Sequence, residues 1–401
     1  MAEAAVPATR EGGPRPLLFH FGAAALAHAA ALSAAVKPPP ALPEALAGAA
    51  AGVRPEAIAA EAARRLALLS RGVAAWQAHP WRRVPAVRDV LWSEGSTRLL
   101  DHGGDGRPVL VVPSLVNRPD ILDLAPGASL LAGLAAEGVR PVLVDWGAPE
   151  WEETRFGLDD YGARLAAALA ALTRLAGAPV PVLGYCMGGT LATGLAAARP
   201  GEVAALALIG APWSFGTDVV PAERLRAFRR ALGPGPAREG FDAVLTAFGA
   251  LPVDLLQLFF ALHDPPLAAR KFRAFARLDP ESPRARLFVA VEDWLNDGQP
   301  LAAGAAREVV GGWYLADRPA RGRWRFLGER IRPDTLTVPA LAVCASADRI
   351  APPASTEPLA KAIPGARILR PATGHVGMII GGGARGALWS HLAEFLRDAG
   401  Q

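Results

Sequence analysis

The sequence predicts an α/β protein in which helices cover both faces of a mostly parallel sheet. Short, continuous apolar runs, as expected of strands buried on both faces, alternate with helical patterns along the middle of the chain. Hydrophobic residues make up 51% of the 401 residues and charged residues 20%, which excludes a disordered chain and allows at least one large core.

The predicted elements follow one another in a regular order. A hairpin is expected around Val90–Trp92 and Arg98–Asp101. The strands that follow are Val109–Val112, Pro141–Val144, Val180–Leu183 and Val203–Ile209, with helices Leu130–Ala136, Asp159–Leu175 and Thr190–Ala198 between them. Two last strands, Val338–Ala345 and Ala366–Leu369, are followed by helices near Thr356–Ala362 and Ala387–Arg397. This rhythm is typical of a parallel sheet covered by helices.

Two regions interrupt the pattern and define the predicted organisation. Residues 1–85 are an Ala/Pro-rich helical region, with an extended linker at Lys37–Pro43 and a helix at Arg54–Ala78. Residues 86–212 form the first part of the sheet domain and residues 336–401 its last part. Residues 213–335 between them predict a helical cap over the carboxyl ends of the strands.

An apolar run inside the predicted cap leaves its own role open. The sequence leaves open whether the run belongs to a lid, to a dimer surface or to another contact surface, and core packing is the commonest use of such a run. Its members are Phe248, Leu255, Leu256, Leu258, Phe259 and Phe260.

The segment Gly184-Tyr185-Cys186-Met187-Gly188 places a cysteine at a strand-to-helix junction. This G-x-C-x-G pattern is a nucleophile elbow, which predicts the α/β-hydrolase fold with Cys186 as the nucleophile. Gly184 and Gly188 are expected because side chains there would collide with the neighbouring strand and helix. The alternative is that Cys186 is a small buried hydrophobe, the common fate of a free cysteine.

The acid and the base are predicted from their order after the nucleophile. Asp348 follows the strand Val338–Ala345, and His375 follows the last strand, as the order nucleophile, acid, histidine requires. Asp348 could instead cap a helix or shape a turn. Among the other histidines, His263 in the cap is the competitor for the base, and Cys344 is expected to be core.

The oxyanion hole needs two backbone N–H groups. One is expected from Met187, directly after the nucleophile. The other is expected from the loop after the strand Val109–Val112, where Pro113 has no N–H to donate. Leu115 or Val116 is therefore the predicted second donor.

Composition and spacing exclude several classes of site. Two cysteines cannot form a disulfide framework or a four-cysteine metal site, and no two histidines share a short ligand spacing, so no metal is expected. A net charge of +4 without a basic stripe argues against nucleic acid as a partner. The apolar stretch His20–Val36 is mostly alanine and predicts a packed helix and not a membrane span. A free thiol suits the cytoplasm.

Several stretches together resemble one family, the polyhydroxyalkanoate synthases, and within it the shorter catalytic subunits that work with a second protein. The resemblance covers most of residues 80–400. The matching stretches are residues 109–147, Leu158-Asp159-Asp160-Tyr161, GYCMGGT at 184–190, VEDWLNDGQPL at 291–301, ADRIAPP at 347–353 and GHVG at 374–377.

The resemblance implies a thiol acyltransferase that polymerises (R)-3-hydroxyacyl coenzyme A and releases coenzyme A. Cys186 would carry the growing chain as a thioester, His375 would activate the thiol, and Asp348 would orient His375 or help activate the 3-hydroxyl. No cofactor is implied, because the coenzyme A thioester is the substrate. The resemblance leaves the partner open between a second copy of the chain, a second synthase subunit and the surface of a polymer granule.

Two other functions compete with this one. A cysteine hydrolase of the same fold, either a thioesterase or a dienelactone-hydrolase-like enzyme, would use the same three residues on a small ester or thioester. A non-catalytic granule-binding or regulatory protein would keep the fold alone, and the full Cys–Asp–His order argues against it.

Overall fold

The computed structural model describes residues 10, 12–36, 54–216 and 219–398 of the chain. The predicted linker Lys37–Pro43 lies outside the described residues. The chain divides into two compact units, one made of Met1–Arg83 with Gln257–Asn296 and the other of Val84–Leu256 with Asp297–Gln401. The predicted segment 213–335 is therefore shared between the two units.

The larger unit contains an eight-stranded sheet. Its strands in chain order are β1 (Asp89–Glu94), β2 (Thr97–Asp101), β3 (Pro108–Val112), β4 (Arg140–Asp145), β5 (Val180–Tyr185), β6 (Val203–Ile209), β7 (Ala340–Val343) and β8 (Arg367–Leu369). Their order across the sheet is β1-β2-β4-β3-β5-β6-β7-β8. The β1–β2 and β2–β4 pairs are antiparallel, and every other neighbouring pair is parallel.

Burial explains why the central strands have continuous apolar sequences. Every residue of β3, β5 and β7 is buried, because helices cover both faces of this part of the sheet. The edge hairpin differs, since β1 is exposed at both ends and half-buried in the middle. The mostly parallel sheet with helices that the sequence predicted is confirmed.

The larger unit contains the five helices that the sequence placed around the sheet, close to their predicted positions, and further helices for which no bounds were predicted. They are Leu130–Ala136, Leu158–Ala176, Met187–Ala198, Val220–Leu232, Pro234–Phe248, Ala303–Arg307, Pro353–Ala362, Gly377–Ile380 and Ser390–Asp398, with π-helical turns at Glu308–Leu315 and Arg385–Trp389. The helix Val253–Ala261 crosses the boundary between the units. The helix predicted to begin at Thr190 begins at Met187, directly after the elbow. The strand predicted over Val338–Ala345 is paired only over Ala340–Val343.

The part of residues 213–335 that belongs to the larger unit is not purely helical. Ala250–Leu251 pairs with Leu301–Ala302, and Arg325–Phe326 pairs with Glu329–Arg330, both antiparallel. Leu256 of the apolar run is buried, whereas Phe248 is 69% exposed and Leu255 39% exposed. The run is thus divided between core and surface.

The smaller unit has a helical core of its own. Its helices include Leu17–Val36, Pro55–Ala78, Leu267–Phe275 and Pro283–Asn296. Residues Leu69, Val73, Trp76, Phe272 and Val289 are among those that form one apolar cluster. The indole of Trp76 donates to Asp293 Oδ1 at 3.0 Å, which satisfies the one polar group of that side chain. No helix among the residues described here is long and apolar enough to cross a membrane.

Candidate active site

Cys186 lies in a strained turn between β5 and the helix that begins at Met187. Its backbone has φ 55° and ψ −130°, a left-handed conformation that is costly for a residue with a Cβ. The turn is held because the Cys186 N–H donates to the carbonyl of Ile209 at the end of β6, at 2.8 Å. The thiol is half-buried at the N-terminus of a helix, where the helix dipole favours a negative charge.

The two elbow glycines have the steric role that the sequence predicted for them. A Cβ on Gly184 would collide with the backbone of Gly189, and one on Gly188 would collide with the carbonyl oxygens of Val112 and Pro113. Backbone atoms cannot move aside as a side chain can, so only glycine allows the helix to pack this closely against β3 and β5.

Asp348 lies in the loop after β7, with both carboxylate oxygens occupied. Oδ1 accepts the N–H groups of Ile350 at 2.8 Å and Ala351 at 2.9 Å. Oδ2 lies 2.6 Å from Nδ1 of His375. The side chain is fully buried, so these three bonds replace the water that a carboxylate would otherwise bind.

His375 lies in the loop after β8 and joins the other two residues. Its Nδ1 bonds Asp348, and its side chain also forms a hydrogen bond with that of Cys186. The structure therefore brings together the three residues that the sequence singled out, in the order thiol, imidazole, carboxylate. This is the arrangement of a nucleophile, its base and the group that orients the base.

The electrostatics of the site favour a protonated imidazole. Burial by itself lowers the pKa of His375, but the negative charges of Cys186 and Asp348 and the hydrogen bonds to both outweigh burial and raise that pKa to about 10. The raised pKa favours a protonated His375 at neutral pH, beside the Asp348 carboxylate and the Cys186 side chain.

Three residues near the site carried no signal in the sequence. Tyr185 stacks its ring on the imidazole of His375, with the ring centroids 5.1 Å apart. Gly210 follows β6 with φ +56°, and a Cβ there would lie 3.1 Å from Cε1 of His375. Tyr314 lies in the π-helical turn Glu308–Leu315, and burial followed by the charge of Cys186 raises the pKa of its hydroxyl. Tyr185 is the neighbour of Cys186 in the chain, but its contact with His375 joins distant segments, as do the close approach of Gly210 to His375 and the effect of Cys186 on Tyr314. Only the fold reveals these relationships.

The backbone N–H groups expected to form the oxyanion hole differ in whether another acceptor already occupies them. Met187 is the first residue of its helix, so its N–H has no acceptor within that helix. The N–H of Val116 donates to Ser114 Oγ at 3.0 Å, so that amide is already occupied. Leu115 is consequently the better candidate of the two for the second donor.

Cys344 and His263, the alternatives to Cys186 as nucleophile and to His375 as base, have other surroundings. Cys344 is 1% exposed in the apolar core, where burial raises the pKa of its thiol, and its N–H donates to Leu369 in the neighbouring strand. His263 belongs to the smaller unit, where its Nδ1 lies 2.7 Å from the carbonyl of Phe259.

Comparison with known families supports the fold seen in the structure. Residues 107–381 match the alpha/beta hydrolase fold family, a stretch that contains the elbow, Asp348 and His375. The predicted fold class, an α/β-hydrolase, is therefore confirmed.

The relatives found by sequence share one description. The chain is 29% identical over 321 residues to the poly(3-hydroxyalkanoate) polymerase subunit PhaC of Haloferax mediterranei, a match covering 77% of this chain and 63% of that protein. It is 28% identical to the PhaC subunit of Haloarcula marismortui, over 77% of this chain and 67% of the relative. The PhaC subunit of a Synechocystis species is also 28% identical, over 73% of this chain and 78% of the relative.

These relatives confirm the resemblance that the sequence motifs predicted, that to polyhydroxyalkanoate synthases. The chain spans less than two thirds of the length of the first of them.

Solved structures show more distant likeness. An alpha/beta hydrolase fold protein from Nakamurella multipartita is 23% identical, with a TM-score of 0.42 over 76% of this chain and 96% of the other. A thioesterase domain from the curacin biosynthetic pathway is 16% identical, with a TM-score of 0.45 over 78% of this chain and 100% of the other.

Proposed function

The chain belongs to the alpha/beta hydrolase fold family, and we propose that it is a cysteine-dependent acyltransferase that polymerises (R)-3-hydroxyacyl coenzyme A. One observation carries the proposal: a half-buried thiol at a nucleophile elbow is hydrogen-bonded to an imidazole that a buried carboxylate holds by its other nitrogen. The relatives named as polymerase subunits give the substrate class.

The first step transfers the acyl group to the enzyme. The Cys186 thiolate attacks the thioester carbonyl, and the C–S bond to coenzyme A breaks as the new C–S bond forms. The leaving thiolate takes the proton held by His375, whose raised pKa keeps that proton available at neutral pH. The N–H of Met187, together with one from the loop at Leu115, would stabilise the oxyanion that forms in between.

The second step forms the ester bond of the polymer. The 3-hydroxyl of one acyl unit attacks the thioester carbonyl of another, and neutral His375 removes the hydroxyl proton. The C–S bond to Cys186 breaks as the C–O bond forms. Cys186 leaves as a thiolate and His375 is protonated again, as both were before the first step. A thioester suits this exchange because a thiolate leaves more readily than the alkoxide of a serine ester would.

Asp348 is proposed to orient His375, and its contacts argue against a direct action on the 3-hydroxyl. Oδ2 bonds His375, and Oδ1 already accepts two backbone N–H groups. A substrate hydroxyl would have to displace one of these bonds in a site where the carboxylate is fully buried. Holding the imidazole in one tautomer needs no such displacement.

The partner and the location follow from the same proposal. A second synthase subunit is the partner that the relatives' description as subunits favours, and a second copy of this chain and a polymer granule are the alternatives. Both cysteines are free, which suits a reducing cytoplasm.

The decisive experiment follows coenzyme A release from (R)-3-hydroxybutyryl coenzyme A and identifies the product. Polymer that sediments or precipitates from the reaction is the expected result, with and without added candidate subunit. Soluble 3-hydroxybutyrate as the only product would overturn the proposal and leave a cysteine thioesterase. The Cys186→Ala variant is the control for uncatalysed thioester hydrolysis.

A further inference from the structure

Tyr185, the residue before the nucleophile, contacts His375 in two ways. Its ring stacks on the imidazole, with centroids 5.1 Å apart and planes inclined by 30°. Its hydroxyl donates to the backbone carbonyl of His375 at 3.3 Å. One side chain of the elbow thus holds both the ring and the main chain of a residue 190 positions away in the sequence.

The other contacts of the imidazole leave a degree of freedom that this ring removes. Asp348 bonds Nδ1 of the imidazole, which leaves Nε2 for the hydrogen bond with Cys186. Hydrogen bonds at the two nitrogens set the direction of the ring but tolerate a tilt about the line that joins them. A flat neighbour pressed against the face opposes that tilt.

We propose that Tyr185 is a positioning residue that holds the plane of the His375 imidazole between Cys186 and Asp348. The inference rests on the proposed function only in taking His375 as the base. The π face of Tyr185 also favours a cationic ring over a neutral one, because the negative face of an aromatic ring attracts a cation.

The hydroxyl of Tyr185 stays a donor throughout the working pH range. Burial, and after it the charges of Cys186 and Asp348, raise the pKa of Tyr185 well above its ordinary value. The bond to the His375 carbonyl is therefore present in every protonation state of the site. The ring, which faces the imidazole, is the part expected to affect its chemistry.

The test measures the pH dependence of alkylation of Cys186 by iodoacetamide, in a Cys344→Ala background so that one thiol reacts. Two variants separate the ring from the hydroxyl: Tyr185→Phe keeps the ring, and Tyr185→Leu removes it. Tyr161→Leu is the matched control, because Tyr161 is also buried and packs edge-on against Trp146, with the ring centroids 5.6 Å apart.

Loss of the ring is expected to lower the upper inflection of the profile, where His375 loses its proton, by about one pH unit. Tyr185→Phe should leave that inflection in place and reduce turnover by about fivefold at most, the value of one hydrogen bond. Tyr161→Leu should not move the inflection. If Tyr185→Leu does not fold, Tyr185→Met fills the space without a π face and gives the same test.

An inflection unchanged in the Leu or Met variant would overturn the inference, as would an equal shift in Tyr185→Phe. Alkylation needs no acyl substrate, so these outcomes are independent of whether the enzyme polymerises or hydrolyses. Failure of the proposed function would instead appear in the coenzyme A release assay, as soluble 3-hydroxybutyrate formed by the wild-type protein. The pH profile of Cys186 alkylation would then be unaffected.

Discussion

Asp348 Oδ2 lies 2.6 Å from His375 Nδ1, although the two residues follow different strands and are 27 positions apart. Both side chains are buried, that of Asp348 completely and that of His375 with 7% exposed, so the bond is shielded from bulk water. Oδ1 of the same carboxylate accepts hydrogen bonds from two backbone N–H groups. These bonds fix the orientation of the carboxylate independently of the imidazole.

Replacement of Asp348 by asparagine should lower turnover by about 10⁴-fold, the cost seen when a base is held in the wrong tautomer. An asparagine amide has only one oxygen, which can accept either from His375 or from the two backbone N–H groups. Its NH₂ group would then face the N–H donors that the oxygen does not serve. Coenzyme A release is the measurement. Asp334→Asn, which alters an exposed carboxylate paired with Arg332, should retain normal turnover, and a similar loss there would contradict the specific role.

Cys186→Ala should abolish coenzyme A release and leave the fold intact, because the thiol is half-buried and its removal takes away only one sulfur atom. Cys186→Ser should fold and lose most polymerisation, since a hydroxyl is a weaker nucleophile and its ester a poorer donor. Cys344→Ala is the matched control and should remain active despite a loss of about 1 kcal/mol of stability. A loss of activity in Cys344→Ala as deep as that in Cys186→Ala would show that the wrong thiol was assigned.

The pH dependence follows from the raised pKa of His375. A histidine whose pKa is raised on folding adds stability that is complete below its unfolded value near 6.5 and is lost as pH rises through the folded value of about 10. Acylation should fall across the same upper range, because the leaving thiolate then lacks its proton donor. Unfolding and coenzyme A release measured from pH 6 to pH 11 check both expectations, and in His375→Gln the part of the change in stability that comes from the imidazole should be absent.

Gly210→Ala should lower turnover by about tenfold, because small displacements of a catalytic group have large effects. The new methyl group would lie 3.1 Å from Cε1 of His375 and 3.2 Å from Nδ1, so the imidazole must shift. Gly177→Ala is the control, since Gly177 has φ +66° with no atom within 4 Å of the added carbon. Both variants should lose about 1 kcal/mol of stability from backbone strain, and equal turnover in the two would contradict the prediction.

Gly188→Ala should destabilise the fold by about 3 kcal/mol, the upper range for overpacking a core. Its methyl group would meet the carbonyl oxygens of Val112 and Pro113, which belong to the backbone at the end of β3 and cannot rotate away. Denaturant unfolding measures the change. Gly201→Ala, where an added carbon meets no atom within 4 Å, should be close to neutral, and a comparable loss there would indicate a general intolerance of alanine.

Much of the fold could be predicted because local patterns dominate it. The strand Val203–Ile209 has the predicted bounds, since a run buried on both faces must be apolar throughout. The helix after the elbow begins at Met187, three residues before the predicted start at Thr190, because its first turn contains Gly188 and Gly189, and glycines normally signal a loop. The two-residue pairs in residues 213–335 carried no pattern long enough to detect.

The sequence by itself singled out Cys186, Asp348 and His375 as the candidate nucleophile, acid and base, because the order of a strand, its loop and the next helix is written along the chain. Only the tertiary structure decided what surrounds them. The stacking of Tyr185 on His375, the close approach of Gly210 and the occupied amide of Val116 each depend on where separate loops meet at the carboxyl edge of the sheet. Such contacts join residues that have no fixed spacing in the chain, so periodicity and motifs cannot report them.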